Sequence, residues 1–138
     1  MRIHCIAATV AALFIGTPAS AQYFDSGGVN EAAQRIYRSC VNISETSGMT
    51  DIRAACACIT GYLGGAFNDR DFEAAAILLR VGELVETGAP QSAIDAEVVS
   101  LFQRGYAEQD VQRIAAMIEQ ASPRGDAVCA QFQQRGSV

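Results

Sequence analysis

Cys56 and Cys58 stand one residue apart inside a stretch that runs from Arg53 to Asn68 and reads R-A-A-C-A-C-I-T-G-Y-L-G-G-A-F-N. Between its polar ends lie fourteen residues without a charge, too few to span a bilayer but suited to a helix buried inside a domain. In a helix of 3.6 residues per turn, side chains two positions apart point about 200° apart around the axis. The two sulfurs therefore cannot easily bond to each other, and each needs a partner elsewhere. Outside the first five residues the other cysteines are Cys40 and Cys129. Pairing Cys40 with Cys56 or with Cys58 closes a loop of 16 or 18 residues, and the second bond then closes one of 71 or 73. Both orders remain open from the sequence. In either, the two ends of the chain are tied to one central helix, around which the rest is expected to wrap.

Whether such bonds form depends on the compartment. Met1 and Arg2 are followed by an apolar run from Cys5 to Gly16, then Pro18 and Ala19-Ser20-Ala21. A basic start, a short apolar core and small residues before a cleavage point define a secretory signal peptide, removed after Ala21. Cys5 lies in that apolar core, where no lipoprotein cysteine would sit, and is discarded with it. The mature chain then starts at Gln22, with residues 22–28 as a flexible, glycine-containing N-terminus and 29–138 as a single domain. Export to the periplasm or the medium places four cysteines in an oxidising environment, which favours two structural disulfides.

Removing 21 of the 138 residues leaves 117, with nine arginines against fifteen acids, a formal net charge of -6. Such a chain disfavours nucleic acid and anionic membrane surfaces as partners. The mature part has no Lys, no Trp and no His, since His4 lies in the signal peptide. That removes Ser-His-Asp and Cys-His pairs, imidazole bases, Schiff-base lysines and His-ligated metals. No catalytic residue, cofactor or metal site is therefore expected, and the chain reads as a non-enzyme.

Helical periodicity accounts for the rest of the domain. Val29, Ala32, Ala33, Ile36, Tyr37 and Cys40 form the apolar stripe of a first helix ending near Val41, and Thr50 is placed to cap the central helix. Asn68 and Asp71 resemble a capping box flanked by Phe67 and Phe72, opening a third helix that ends at Glu86 before Gly88 and Pro90. Gly82 is a candidate kink in it. Ser92 with Asp95 caps a fourth helix whose inner face is Ile94, Val98, Leu101 and Phe102, with Gly105 ending it. The fifth helix carries Val111, Ile114, Ala115 and Ile118 and stops before Ser122-Pro123; a short last helix starts at Asp126 and ends at Arg135-Gly136. No stretch alternates with period two, so no sheet is expected. The fold class is an all-α bundle of five or six helices, stapled by two disulfides.

Other motifs have plainer explanations than chemistry. The acid pairs Asp69 with Asp71, Asp95 with Glu97 and Glu108 with Asp110 fall where first helical turns are expected, which the helix dipole favours. Gly61 and Gly65 share a face with Ala54 and Cys58, a small-residue strip suited to close helix packing. Arg124-Gly125-Asp126 spells an adhesion tripeptide, but Asp126 serves as the cap of the last helix.

The signal peptide, A-C-A-C-I-T-G-Y, the F-N-D-R-D-F helix start and the lone late cysteine together resemble small exported bacterial helical proteins with a C...C-x-C...C pattern. That resemblance implies an exported helical domain and brings no activity with it. C-I-T-G-Y-L-G-G is also similar to a short segment of some periplasmic immunity proteins, although the remainder departs from their pattern and no functional residue carries over. The expected function is that of an exported, non-catalytic binding protein, an inhibitor, immunity or chaperone-like factor with a protein partner. The competing expectation is a thiol-disulfide or metal-handling protein that uses the C-x-C cysteines. Neither the partner nor the oligomeric state follows from the sequence.

Overall fold

The computed structural model describes residues 27–45 and 47–133, with side chains from residue 30 onward. The expected signal peptide and its cleavage point, the N-terminal segment up to residue 26 and the expected helix end at Arg135-Gly136 lie outside the described residues. Five α-helices follow in order: α1 Gly27–Ser44, α2 Ile52–Ala66, α3 Asp69–Glu86, α4 Gln91–Gln103 and α5 Glu108–Cys129, the last continued by a 3-10 turn at Ala130–Phe132. No strand forms among the described residues. The protein is an all-α, five-helix fold.

The hub is α3 rather than α2. It has eight buried residues against five on α2, among them Phe72 and the run Ala74-Ala75-Ala76-Ile77. Three successive alanines let neighbours approach from several sides, and α1, α4 and α5 all pack on α3. The glycine positions of the expected small-residue strip on α2 do not seat a neighbour. A Cβ added at Gly61 or at Gly65 would meet no atom within 4 Å. Both positions lie inside a helix, where Gly costs about 0.8–1 kcal/mol relative to Ala. Gly61→Ala and Gly65→Ala should each raise the unfolding free energy by about that amount in urea titrations; a loss at either would mean that the open face is occupied.

Local signals set the helix boundaries, with several shifts from expectation. Asp51, not Thr50, caps α2, its Oδ1 accepting from the Ala54 N–H at 3.0 Å. Asn68 caps α3 as expected, its Oδ1 accepting from the Asp71 N–H at 2.9 Å, and Phe67 and Phe72 are both buried in the core beside it. Ser92 and Asp95 do not cap α4. Pro90, extended, leads straight into that helix, and Asp95 instead accepts from the Gln91 amide at 2.8 Å. Gly88 and Gly105 take φ of +69° and +82°, the left-handed conformation that ends helices. Beyond Gly105, the Tyr106 N–H reaches back to the Leu101 carbonyl at 3.2 Å.

Two inner-face expectations fail. On α4 only Leu101 is fully buried, and Phe102 is 49% exposed, because α4 packs mainly against α3, along one narrow face. The second failure is Pro123, which does not end a helix. It sits inside α5, which runs unbroken from Glu108 to Cys129 and absorbs the expected separate last helix. Ala121, Gly125 and Cys129 lie four residues apart and are buried, while Pro123 is exposed. The inner face thus bypasses the proline ring. Gly125 matters to that face, since a Cβ there would come within 3.0 Å of the Tyr62 ring. Arg124-Gly125-Asp126 is therefore a helical segment with its middle residue covered, and Asp126 caps nothing; it accepts from Gln133 at 3.2 Å.

Candidate functional site

The cysteines resolve into Cys40–Cys56 and Cys58–Cys129, with Cα separations of 5.6 and 5.8 Å. The opposed directions of Cys56 and Cys58 on α2 send one sulfur to α1 and the other to the end of α5. Two formed disulfides fit an oxidising compartment outside the cytoplasm. All four sulfurs are committed to these bonds, so no thiol pair is left at C-x-C.

The acid pairs divide. Asp69, Asp71, Glu108 and Asp110 occupy first helical turns, and Asp110 accepts from the Ala107 N–H at 3.0 Å. Asp95 and Glu97 lie further along α4; Glu97 pairs with Arg35 of α1 at 3.3 Å. Asp71 does more than cap. Both its oxygens accept from Arg113 of α5 at 2.8 Å, and Asn68 donates to it at 2.9 Å. Those Arg113 hydrogen bonds, which outweigh the effect of burial, hold the Asp71 carboxyl below the ordinary carboxylate range. The same corner is closed by the Tyr106 hydroxyl, which donates to the Arg70 carbonyl at 2.6 Å, with the Arg70 guanidinium 5.1 Å from the Tyr106 ring centre. This cluster fastens the turn between α4 and α5 to the start of α3 and leaves Asp71 no free oxygen.

A concave feature lies elsewhere, between α1, α3 and α4. It is an open cleft of about 440 Å³ with a charged lining: Glu31, Arg35, Arg38 and Asn42 from α1, Arg80 and Glu83 from α3, and Glu97 from α4. The α1 contribution follows from spacing, because residues 31, 35, 38 and 42 form a polar stripe beside the apolar one. Glu83 is among the lining residues and is only 3% exposed. Its Oε1 accepts from Asn42 at 2.9 Å and pairs with Arg80. Burial pushes the Glu83 carboxyl up, but hydrogen bonds from Arg80, Ser39 and Asn42 together with the Arg80 charge prevail and hold it below its usual value. An ionised carboxylate in this setting accepts hydrogen bonds and has no proton to give.

Sequence reasoning passed over Glu83, although a signal was present. An acid near the C-terminal end of a helix opposes the helix dipole, so it needs compensation from elsewhere in the fold. Arg80 three residues earlier and Asn42 across the interface supply it.

Asp71 and Glu83 also set the acid limit of stability. Each carboxyl has a folded-state pKa below its unfolded value, so the folded protein binds fewer protons. The stabilisation is complete above the unfolded values, near pH 4, and is lost as pH falls through the lowered folded values. Urea midpoints measured from pH 6 to pH 2 should fall in that window, and Asp71→Asn should flatten the decline. An unchanged slope in that variant would show that Asp71 contributes nothing to it.

Together, the described residues form an all-α, disulfide-stapled domain with a charged cleft between α1, α3 and α4. Among its described helices none is long and apolar enough to cross a membrane. No family model, no curated protein and no solved structure matches this chain.

Proposed function

We propose that this is an exported, non-catalytic binding protein that engages a partner chain through the cleft between α1, α3 and α4, in the manner of an inhibitor, immunity or chaperone-like factor. The cleft carries this reading. Its volume lies in the range of ligand sites, yet its walls are arginines, glutamates, two amides and the buried Ser39, which together suit recognition of a polar group. The acid elsewhere that is best placed for chemistry, Asp71, is engaged by Arg113 and Asn68. The mature chain's acidity further favours a partner with basic surface, whose approach it would speed at low salt. The test is capture from periplasm and culture medium with the mature protein as bait, alongside Arg38→Glu, which reverses a charge on the cleft rim. A partner retained by the wild type and lost with the variant supports the reading. Equal recovery on both, or no specific recovery, overturns it.

A further inference from the structure

An apolar pocket of about 120 Å³ opens between α1, α2, α3 and α5. Branched aliphatic side chains form three of its walls: Ile36 and Ile43 from α1, Ile59 and Leu63 from α2, and Leu79 from α3. The fourth wall is α5, which presents Ser122, Gly125 and Asp126. These side chains are too short to fill the space that the bulkier helices leave open. The Cys40–Cys56 bond, whose Cys40 also lines the pocket, ties α1 to α2 beside it.

The walls decide what such a space can hold. Its two serine hydroxyls already donate within the protein, Ser39 to Glu83 and Ser122 to the Ile118 carbonyl at 2.8 Å. Water inside would find few partners, whereas an apolar guest would regain the dispersion contacts that an empty space forfeits. An apolar cavity of about 150 Å³ stays dry and accepts one benzene ring. By that scale the pocket holds about five carbons.

The mouth decides what the other end of the guest can be. Asp126 is the one charged group among the described residues lining the pocket, and it is exposed. Gln133 donates to its Oδ1 at 3.2 Å, which leaves Oδ2 available as an acceptor. A cationic donor on the guest is attracted there, and an anionic head is repelled.

We infer that this pocket binds a small primary amine with a short apolar tail. The tail, an alkyl chain of about five carbons or a single aromatic ring, fills the space among the Ile and Leu side chains. The ammonium stays at the mouth and donates to Asp126 Oδ2. This site shares only Ser39 with the charged cleft and does not depend on the partner reading.

An NMR titration of the 15N-labelled mature protein tests this at low salt with n-alkylammonium ions from ethyl to octyl. Hexanoate, with a five-carbon tail on an anionic head, is the counterpart of pentylammonium. Saturable shifts are expected at the Ile59, Leu63 and Gly125 amides, with a pentylammonium Kd in the millimolar range. Affinity should rise about fourfold per methylene up to pentyl and then level off, as further carbons extend into water. Pentylammonium should bind about threefold or more tighter than hexanoate. Asp126→Asn should erase that preference and keep the dependence on chain length. Ser122→Phe places a ring across the mouth from an exposed position and should weaken pentylammonium binding about tenfold or more. No saturable shift, an affinity that climbs unbroken to octyl, or indifference to Ser122→Phe would overturn the pocket as a site. Hexanoate bound as tightly as pentylammonium would overturn the amine assignment. Arg38 does not line this pocket, so the outcome is read apart from partner capture.

Discussion

Replacing Cys58 and Cys129 by alanine should destabilise the protein by about 4 kcal/mol, and replacing Cys40 and Cys56 by about 3 kcal/mol. The difference comes from loop length, since the first bond joins residues 71 apart and the second residues 16 apart. In the chain-entropy account, the longer loop loses more freedom in the unfolded ensemble when it is closed. Either loss is a large share of the 5–15 kcal/mol of net stability usual for a domain. Alanine is the right replacement because Cys56 and Cys129 are fully buried, and a serine hydroxyl would add a desolvation cost of its own. Urea midpoints of the two double variants decide the matter. If Cys40–Cys56 proves the costlier bond to remove, native packing around Cys56 outweighs loop entropy. In denaturant, Cys40, Cys56, Cys58 and Cys129 should meanwhile show no free thiol.

Pro123→Ala should act in the opposite direction and stabilise the fold by about 2 kcal/mol. An interior proline costs a helix about 3 kcal/mol through its missing N–H and its clash with the preceding turn. Roughly 0.4–1 kcal/mol of that is returned because proline restricts the unfolded chain. Pro123 is exposed and the buried face passes through Ala121, Gly125 and Cys129, so alanine removes a penalty without disturbing a contact. A melting temperature unchanged or lowered by the substitution would show that the ring shapes α5 in a way that the disulfide at Cys129 needs.

These two regions also show what could be read beforehand. The opposed directions of Cys56 and Cys58 were legible because helical geometry alone requires them, and Asn68, Gly88 and Gly105 were legible because each has a local backbone task. Pro123 misled because its local preference is strong, while the spacing that overrode it, Ala121 to Gly125 to Cys129, consists of small residues with a weak hydrophobic signal. Ser92 and Asp95 misled for a similar reason, as the extended Pro90 let α4 begin two residues sooner. The choice of α3 over α2 as hub depended on which neighbours arrive, and apolarity is no guide to that. Glu83 was legible only as an acid near the C-terminal end of its helix, because its partner Asn42 is 41 residues away and a tertiary contact of that kind leaves no local pattern.

The Cys58–Cys129 bond has one more consequence if a protease reaches the protein. The connection between α3 and α4, at Thr87 and Gly88, is exposed and is the natural place for a nick. Cys58 lies before it and Cys129 after it. A cut there would yield two polypeptides still joined as one molecule, running as a single band without reductant and as two fragments with it. The same bond that limits the unfolded chain would thus keep a damaged copy whole, with Arg38 and Glu83 on one fragment and Glu97 on the other.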